Sequence, residues 1–210
     1  MNPTDRQPAL LQPRAIVFVC RALFILYFLA ILVSHLFPQT FSVLQHISLV
    51  WSLYLLLIYL TCEKIYAVFL RRGIDLSYAF PLVFAVFILN AVSLLVRSQE
   101  QVPIINRAEH LATFVLVAYI VWTFFLKYLP QKVWEDHPYY TAILTLSLTA
   151  LAGVGNEIVE LALDHIFFTK TVGPAYDTSL DLLMNTLGAG LFLAVQLILH
   201  EGRVARTRSN

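Results

Sequence analysis

Hydrophobic residues in this chain come in long blocks separated by short polar stretches. A helix needs about 20 apolar residues to cross a hydrocarbon core of about 30 Å. Six blocks approach that length: residues 15–36, 41–62, 76–96, 110–129, 139–163 and 179–200. Inside a bilayer the backbone must close its hydrogen bonds within each segment, so every block is expected to be a helix. The expected fold is all-α, a polytopic membrane bundle of six transmembrane helices. Pro38, Pro103, Pro130, Pro138 and Pro174 fall between the blocks, where they break no helix, and Pro81 lies one turn into the third block, where it is tolerated. Residues 1–14 form an expected N-terminal tail, 15–200 the membrane domain and 201–210 a basic C-terminal tail, and both tails are expected to be disordered. The first block is long enough to span a bilayer rather than serve as a cleaved signal. No internal repeat is visible.

Composition supports this reading. Hydrophobic residues make up 59% of the 210 and charged residues 13%, against about a quarter charged in a soluble domain. Mean hydropathy is +0.75. The net charge of +1 gives no reason to expect a nucleic-acid partner. Cys20 and Cys62 lie within or at the end of apolar blocks and match neither a disulfide framework nor a zinc motif, so both are expected to be packing residues.

Charge gives an orientation. Arg6, Arg14, Arg21, Lys64, Arg71, Arg72, Lys127, Lys132, Arg203, Arg206 and Arg208 fall on one side of a six-span topology, leaving only Arg97, Arg107 and Lys170 on the other. The positive-inside rule then puts both termini in the cytoplasm.

Against this apolar background, two acidic helix faces stand out. Glu157, Glu160 and Asp164 lie at i, i+3 and i+7, with His165 following; Asp177, Asp181 and Asn185 lie at i, i+4 and i+8, ahead of Gly188. Each spacing puts its residues on one side of a helix. Counted from Tyr139 at 1.5 Å per residue, Glu157 lies about 27 Å along the fifth span, near the outer edge of the hydrocarbon core. Asp177 and Asp181 open the sixth span from the same side, and Arg107 with His110 opens the fourth. Carboxylates in a membrane segment are costly unless paired, hydrated or bound to a cation, which makes them a functional-site hypothesis by default.

Two readings follow. In one, Arg107 and water neutralise an interfacial acidic network. In the other, Glu157, Glu160, Asp177 and Asp181 hold a divalent metal ion, His110 is a general acid/base or further ligand, and Arg107 clamps an anionic group through its forked guanidinium. His35, His46 and His137 are expected to be solvated loop or span-end residues. Asn90 is expected to be a polar link between helices. Trp51, Trp122, Trp134, Tyr139 and Tyr140 are expected mostly at the lipid surface or in an interfacial belt. Gly188 and Gly190, with Gly153 and Gly155, are expected to let the fifth and sixth spans approach closely, the turn between them being marked by Gly173–Pro174.

Three pieces together resemble the YjdF type of bacterial inner-membrane protein, itself loosely similar to the VanZ-like proteins. They are Arg107-Ala108-Glu109-His110, then Glu157-Ile158-Val159-Glu160, then Asp177-Thr178-Ser179-Leu180-Asp181 leading to the small face at Gly188. The resemblance covers roughly residues 76–200. Leu161 and Tyr176 depart from it, standing where the family usually has an aromatic residue and often a tryptophan. It implies a multi-pass inner-membrane location and a shared arrangement of polar residues, but no particular activity. The leading expectation is metal-assisted hydrolysis or transfer on a lipid or lipid-linked phosphate reached from membrane lipids. The rivals are a small-solute or ion-coupled carrier and a non-catalytic scaffold with a structural ion-pair network.

Overall fold

A computed structural model describes residues 13–39, 44, 47–100, 103–168 and 175–209. Among them are seven α-helices and no strand: α1 (Pro13–Leu36), α2 (Leu49–Arg71), α3 (Ala79–Glu100), α4 (Pro103–Tyr128), α5 (Gln131–Asp136), α6 (Pro138–Phe167) and α7 (Ala175–Ser209). All but α5 are long and apolar enough to cross a membrane, as the block pattern led us to expect. Their outward residues are apolar: Phe18, Leu26, Leu57, Ile143, Leu151, Ile158, Leu191 and Ile198 are all exposed. So much exposed apolar surface suits a lipid solvent.

The boundaries correct the block reading in three places. The second span is Leu49–Arg71, not 41–62. Ser48 caps its start, its hydroxyl accepting from the Trp51 backbone N–H at 3.1 Å. The helix continues through Glu63 and Lys64 because the Glu63 charge is answered from α1, and it stops at Gly73, whose φ of +79° only glycine adopts without cost. There the Ile74 N–H reaches the Phe69 carbonyl and the Gly73 N–H reaches that of Leu70, the paired bonds of a Schellman stop. The fourth helix begins at Pro103 rather than near His110, so this proline opens a helix. Lastly, α7 runs on to Ser209, so the stretch from Arg203 expected to be disordered is helical. Between His200 and Ser209 it meets only one helix-weakening glycine, Gly202, among residues such as Ala205, Arg203 and Arg206 that favour helix. The N-terminal tail through residue 12, His46 and the Gly173–Pro174 turn lie outside the described residues.

The chain divides into two units after Ile88, so α3 gives its first half to one and its second half to the other. In the first unit, α1, α2 and the start of α3 pack around Phe24, whose ring lies 4.2 Å from Tyr59, 5.2 Å from Phe84 and 5.0 Å from Phe87. Cys20 sits in this core as a free thiol, and Cys62 is also free. Arg21 of α1 meets both carboxylate oxygens of Glu63 on α2, at 2.8 and 2.7 Å, and the Tyr59 hydroxyl donates to the same group at 2.7 Å.

In the second unit, α4, α6 and α7 pack against one another, with α5 against α6. Each helix turns one row at four-residue spacing inward: Phe114, Ala118 and Trp122 on α4; Thr141, Thr145, Thr149, Gly153 and Glu157 on α6; Asp181, Asn185, Ala189 and Leu193 on α7. Trp122 is therefore a core residue, not a lipid-facing one. It is 2% exposed, packs edge-on to Trp134 at 4.5 Å and shares a cluster with Leu193 and the small Ala142. Trp134 in turn lies 4.5 Å from the His200 ring, so it too is packed rather than purely a belt residue.

The glycines divide. A Cβ on Gly188 would run into the Leu111 carbonyl oxygen of α4, and one on Gly153 would meet Asn185 Nδ2 at 3.0 Å and Phe114 at 3.2 Å. Gly155 and Gly190 have nothing within 4 Å of that position, so they serve no close approach. The tightest of these contacts joins α7 to α4, and at Gly153 α6 and α7 approach each other as expected.

Candidate functional site

The inward rows of the second unit end in polar residues. On α6 the row Thr141, Thr145, Thr149, Gly153 reaches Glu157; on α7 it begins at Asp181; on α4 the row of Trp122, Ala118 and Phe114 leads one turn further to His110. Leucine and isoleucine fill the outward faces, so placing these polar groups in lipid would mean turning the whole helix. His110 lies about 10 Å from the start of α4, and Asp181 about 9 Å from the start of α7. Glu157 lies about 15 Å from the end of α6. The cluster is set below the helix ends.

One ligand atom from each of His110, Glu157 and Asp181 lies within 4.8 Å of the others. Glu157 and Asp181 are both 7% exposed. The His110 ring reaches α7 twice: Nδ1 is 3.0 Å from Asn185 Oδ1, and Nε2 is 3.7 Å from Asp181 Oδ2. An amide oxygen only accepts, so Nδ1 carries the proton. In the neutral ring, Nε2 then presents its lone pair to a carboxylate oxygen, an arrangement that calls for a proton or a metal ion between them. Glu157 Oε1 is buried with no hydrogen-bond partner among the described residues, and so is Asn185 Nδ2. Such orphaned atoms in a buried core need an explanation, and a bound cation would supply one for the carboxylate.

The other expected site residues take different positions. Arg107 pairs with Asp177, Nη2 to Oδ1 at 3.0 Å, a bridge between α4 and α7. Asp177 also lies in the first turn of α7, where a negative charge is favoured. Glu160 accepts from Asn156 Nδ2 at 2.6 Å. The three-residue cluster therefore takes one acid from each motif plus His110, and does not include Glu160 or Asp177. Two residues gain importance over the sequence reading. Asn106 donates to both oxygens of Asp181, at 3.0 and 3.1 Å, and Asn185 holds the His110 ring. Asn106 lies four residues before His110, so the same spacing that links the inward rows points to it. Asn90 donates to Glu109 at 3.3 Å, linking α3 to α4 as expected of a polar residue within a span.

A family model described as a predicted membrane protein family, DUF2238, matches residues 16–202. The chain belongs to that family. Its match includes every helix from α1 to most of α7, and with them the whole cluster. The family description states a membrane protein and names no reaction. Neither the curated proteins nor the solved structures gave a match.

Proposed function

We propose that this DUF2238 protein holds a divalent metal ion between His110, Glu157 and Asp181 and uses it for hydrolysis or transfer on a lipid or lipid-linked phosphate. The convergence of these three ligand atoms within 4.8 Å, one of the groups having a buried oxygen without a partner among the described residues, carries the reading. Three protein ligands leave a coordination position open, the pattern of metal sites that do chemistry rather than hold structure. An ion there would supply Lewis acidity and an activated water. The chain's own residues do the rest. Asn106 fixes Asp181, Asn185 fixes His110, and Arg107 stands three residues nearer the start of α4, paired to the half-exposed Asp177. Its guanidinium would exchange Asp177 for the phosphate of a headgroup, a planar fork meeting two oxygens.

In this reading both termini are cytoplasmic and the site opens toward the outer leaflet of a bacterial inner membrane, where membrane lipids reach it at its own depth. The motif likeness to VanZ-like proteins belongs to the same proposal. A second reading has its own observation: the Arg107–Asp177 pair and the Asn106–Asp181 bonds tie α4 to α7, as a purely structural network would.

The test is divalent-metal binding to the detergent-purified protein, compared with Asp181→Asn and Glu157→Gln. Stoichiometric binding that both substitutions abolish supports the metal site and leads to assays of phosphate release from lipid phosphates. If no metal binds the unaltered protein, the structural network stands in its place, and ion-coupled flux in vesicles then separates a scaffold from a carrier.

A further inference from the structure

We propose that Asn185 is the positioning residue that presents His110 through Nε2, and that the site it completes selects a first-row transition ion over magnesium or calcium. This rests on the metal reading above and specifies it. Three observations converge on Asn185. It is 1% exposed. Its Oδ1 lies 3.0 Å from His110 Nδ1. Its Nδ2 lies against Gly153, 3.0 Å from where a Cβ there would stand, so the bare glycine is the slot that admits the amide.

The backbone fixes the register. Gly188, three residues after Asn185, meets the carbonyl of Leu111, the residue after His110, so closely that no side chain fits between. The backbones that carry Asn185 and His110 are therefore held close to each other, within reach of the two side chains. A metal-binding histidine commonly donates its other ring N–H to an oxygen, which fixes tautomer and ring orientation. Here a buried amide oxygen takes that place.

The donor set specifies the ion. One imidazole nitrogen with two carboxylates suits zinc, manganese or iron, whereas magnesium and calcium take oxygen ligands. Asn185 makes the nitrogen available. Without it the acceptor that holds the proton on Nδ1 is lost, and the ring is free to turn Nε2 away from Glu157 and Asp181.

The full-length protein in detergent, with 15N-labelled histidine, tests this. His110→Gln identifies the His110 signals. The metal-free protein is expected to show the Nδ1–H tautomer, and added zinc to move the Nε2 resonance. Asn185→Leu should scramble the tautomer and weaken zinc binding about 10- to 100-fold. Asn185→Asp, which keeps an acceptor oxygen, should hold both within about threefold, and a thermal melt matching the parent confirms that each variant is folded. Gly153→Ala should repeat the Asn185→Leu result by pushing the amide from its slot.

Zinc affinity and tautomer unchanged in folded Asn185→Leu would overturn the positioning role. Magnesium binding as tight as zinc would overturn the selectivity. A protein that binds neither zinc nor manganese sinks the parent metal reading, while the tautomer in Asn185→Leu still decides whether Asn185 sets the ring.

Discussion

In the first unit, the charged residues within the apolar helices answer one another. Arg21 spans both oxygens of Glu63, and Tyr59 donates to the same carboxylate. In the second unit Arg107 and Asp177 pair in the same way, but the groups set deeper between the helices do not close on one another. Among the described residues, Glu157 keeps a buried oxygen without a partner and Asn185 a buried amide nitrogen, and His110 turns Nε2 toward a carboxylate at 3.7 Å. A charge within a span is thus a weak pointer to function by itself. A closed pair fixes two helices together, whereas convergent groups that leave one another unsatisfied are what a ligand would complete. The two units should respond differently to substitution: Cys20 reports on the first core, and Trp122 on the second once Trp51, which packs against the first, is replaced by phenylalanine.

The largest effect is expected where the second unit has no room to adjust. Gly188→Ala drives a methyl into the Leu111 carbonyl oxygen, a backbone atom that cannot rotate aside. Overpacking costs about 1–3 kcal/mol, occasionally more, and this substitution should fall at or above the top of that range. Thermal unfolding followed by tryptophan fluorescence should show it, with the labelling rate of Cys20 unchanged. Gly155→Ala is the control: it meets open space and should stabilise α6 by about 0.5–1 kcal/mol. Equal behaviour of the two alanines would remove the backbone contact that sets the register of the site.

Next in size is the closed pair. Arg21→Met leaves the Glu63 carboxylate within a span with the Tyr59 hydroxyl but no countercharge, a cost on the order of 3 kcal/mol. It should appear as faster Cys20 labelling and a lower melting temperature. Adding Glu63→Leu should recover most of the loss, because it removes the uncompensated carboxylate from the span. A double variant no better than the single would mean that the pair does more than balance charge.

The site should give the opposite sign. Glu157→Met removes a carboxylate with an unsatisfied buried oxygen, so with metal chelated it should raise stability by about 1–3 kcal/mol, the usual penalty for leaving such a group unmade. The same substitution should abolish metal binding. Chemical denaturation in chelator and isothermal titration with zinc read the two effects separately. A destabilised Glu157→Met protein would show that the carboxylate already has an answer within the fold, and the contrast between the units would disappear.

The six-helix plan was legible because a bilayer demands about 20 apolar residues per crossing, whatever the fold. The exact extent of α2 was hidden by a polar run. Glu63 and Lys64 read as an end, since the sequence does not say that Arg21 will meet Glu63. Which face of each helix turns inward was harder. Lipid and protein core both favour apolar side chains, so Trp122 looks the same in either place. The small and polar residues resolve it: Thr141, Thr145, Thr149, Gly153 and Glu157 share one row. That row separates Glu157 from Glu160, which the E-x-x-E spacing had joined. Asp177 and Asp181 share a face but not a partner, since Arg107 stands one turn from His110 and takes the outer acid. Pairings across helices fixed these roles, and no local spacing encodes them.

The smallest expected effect probes where the open site ends. Asn90 donates to Glu109 at 3.3 Å, and the two residues lie on neighbouring helices at the edge of the second unit. Polar links between membrane helices average about 0.6 kcal/mol, because each group also finds partners when the helices separate. Asn90→Leu should therefore lower the melting temperature by only about 1–2 °C and leave metal binding untouched. Glu109 is the neighbour of His110 but points elsewhere on α4, about 100° around the helix. If Asn90→Leu instead weakened zinc binding, Glu109 would be coupled to the ring after all. The group that needs a ligand would then extend from α4, α6 and α7 to α3.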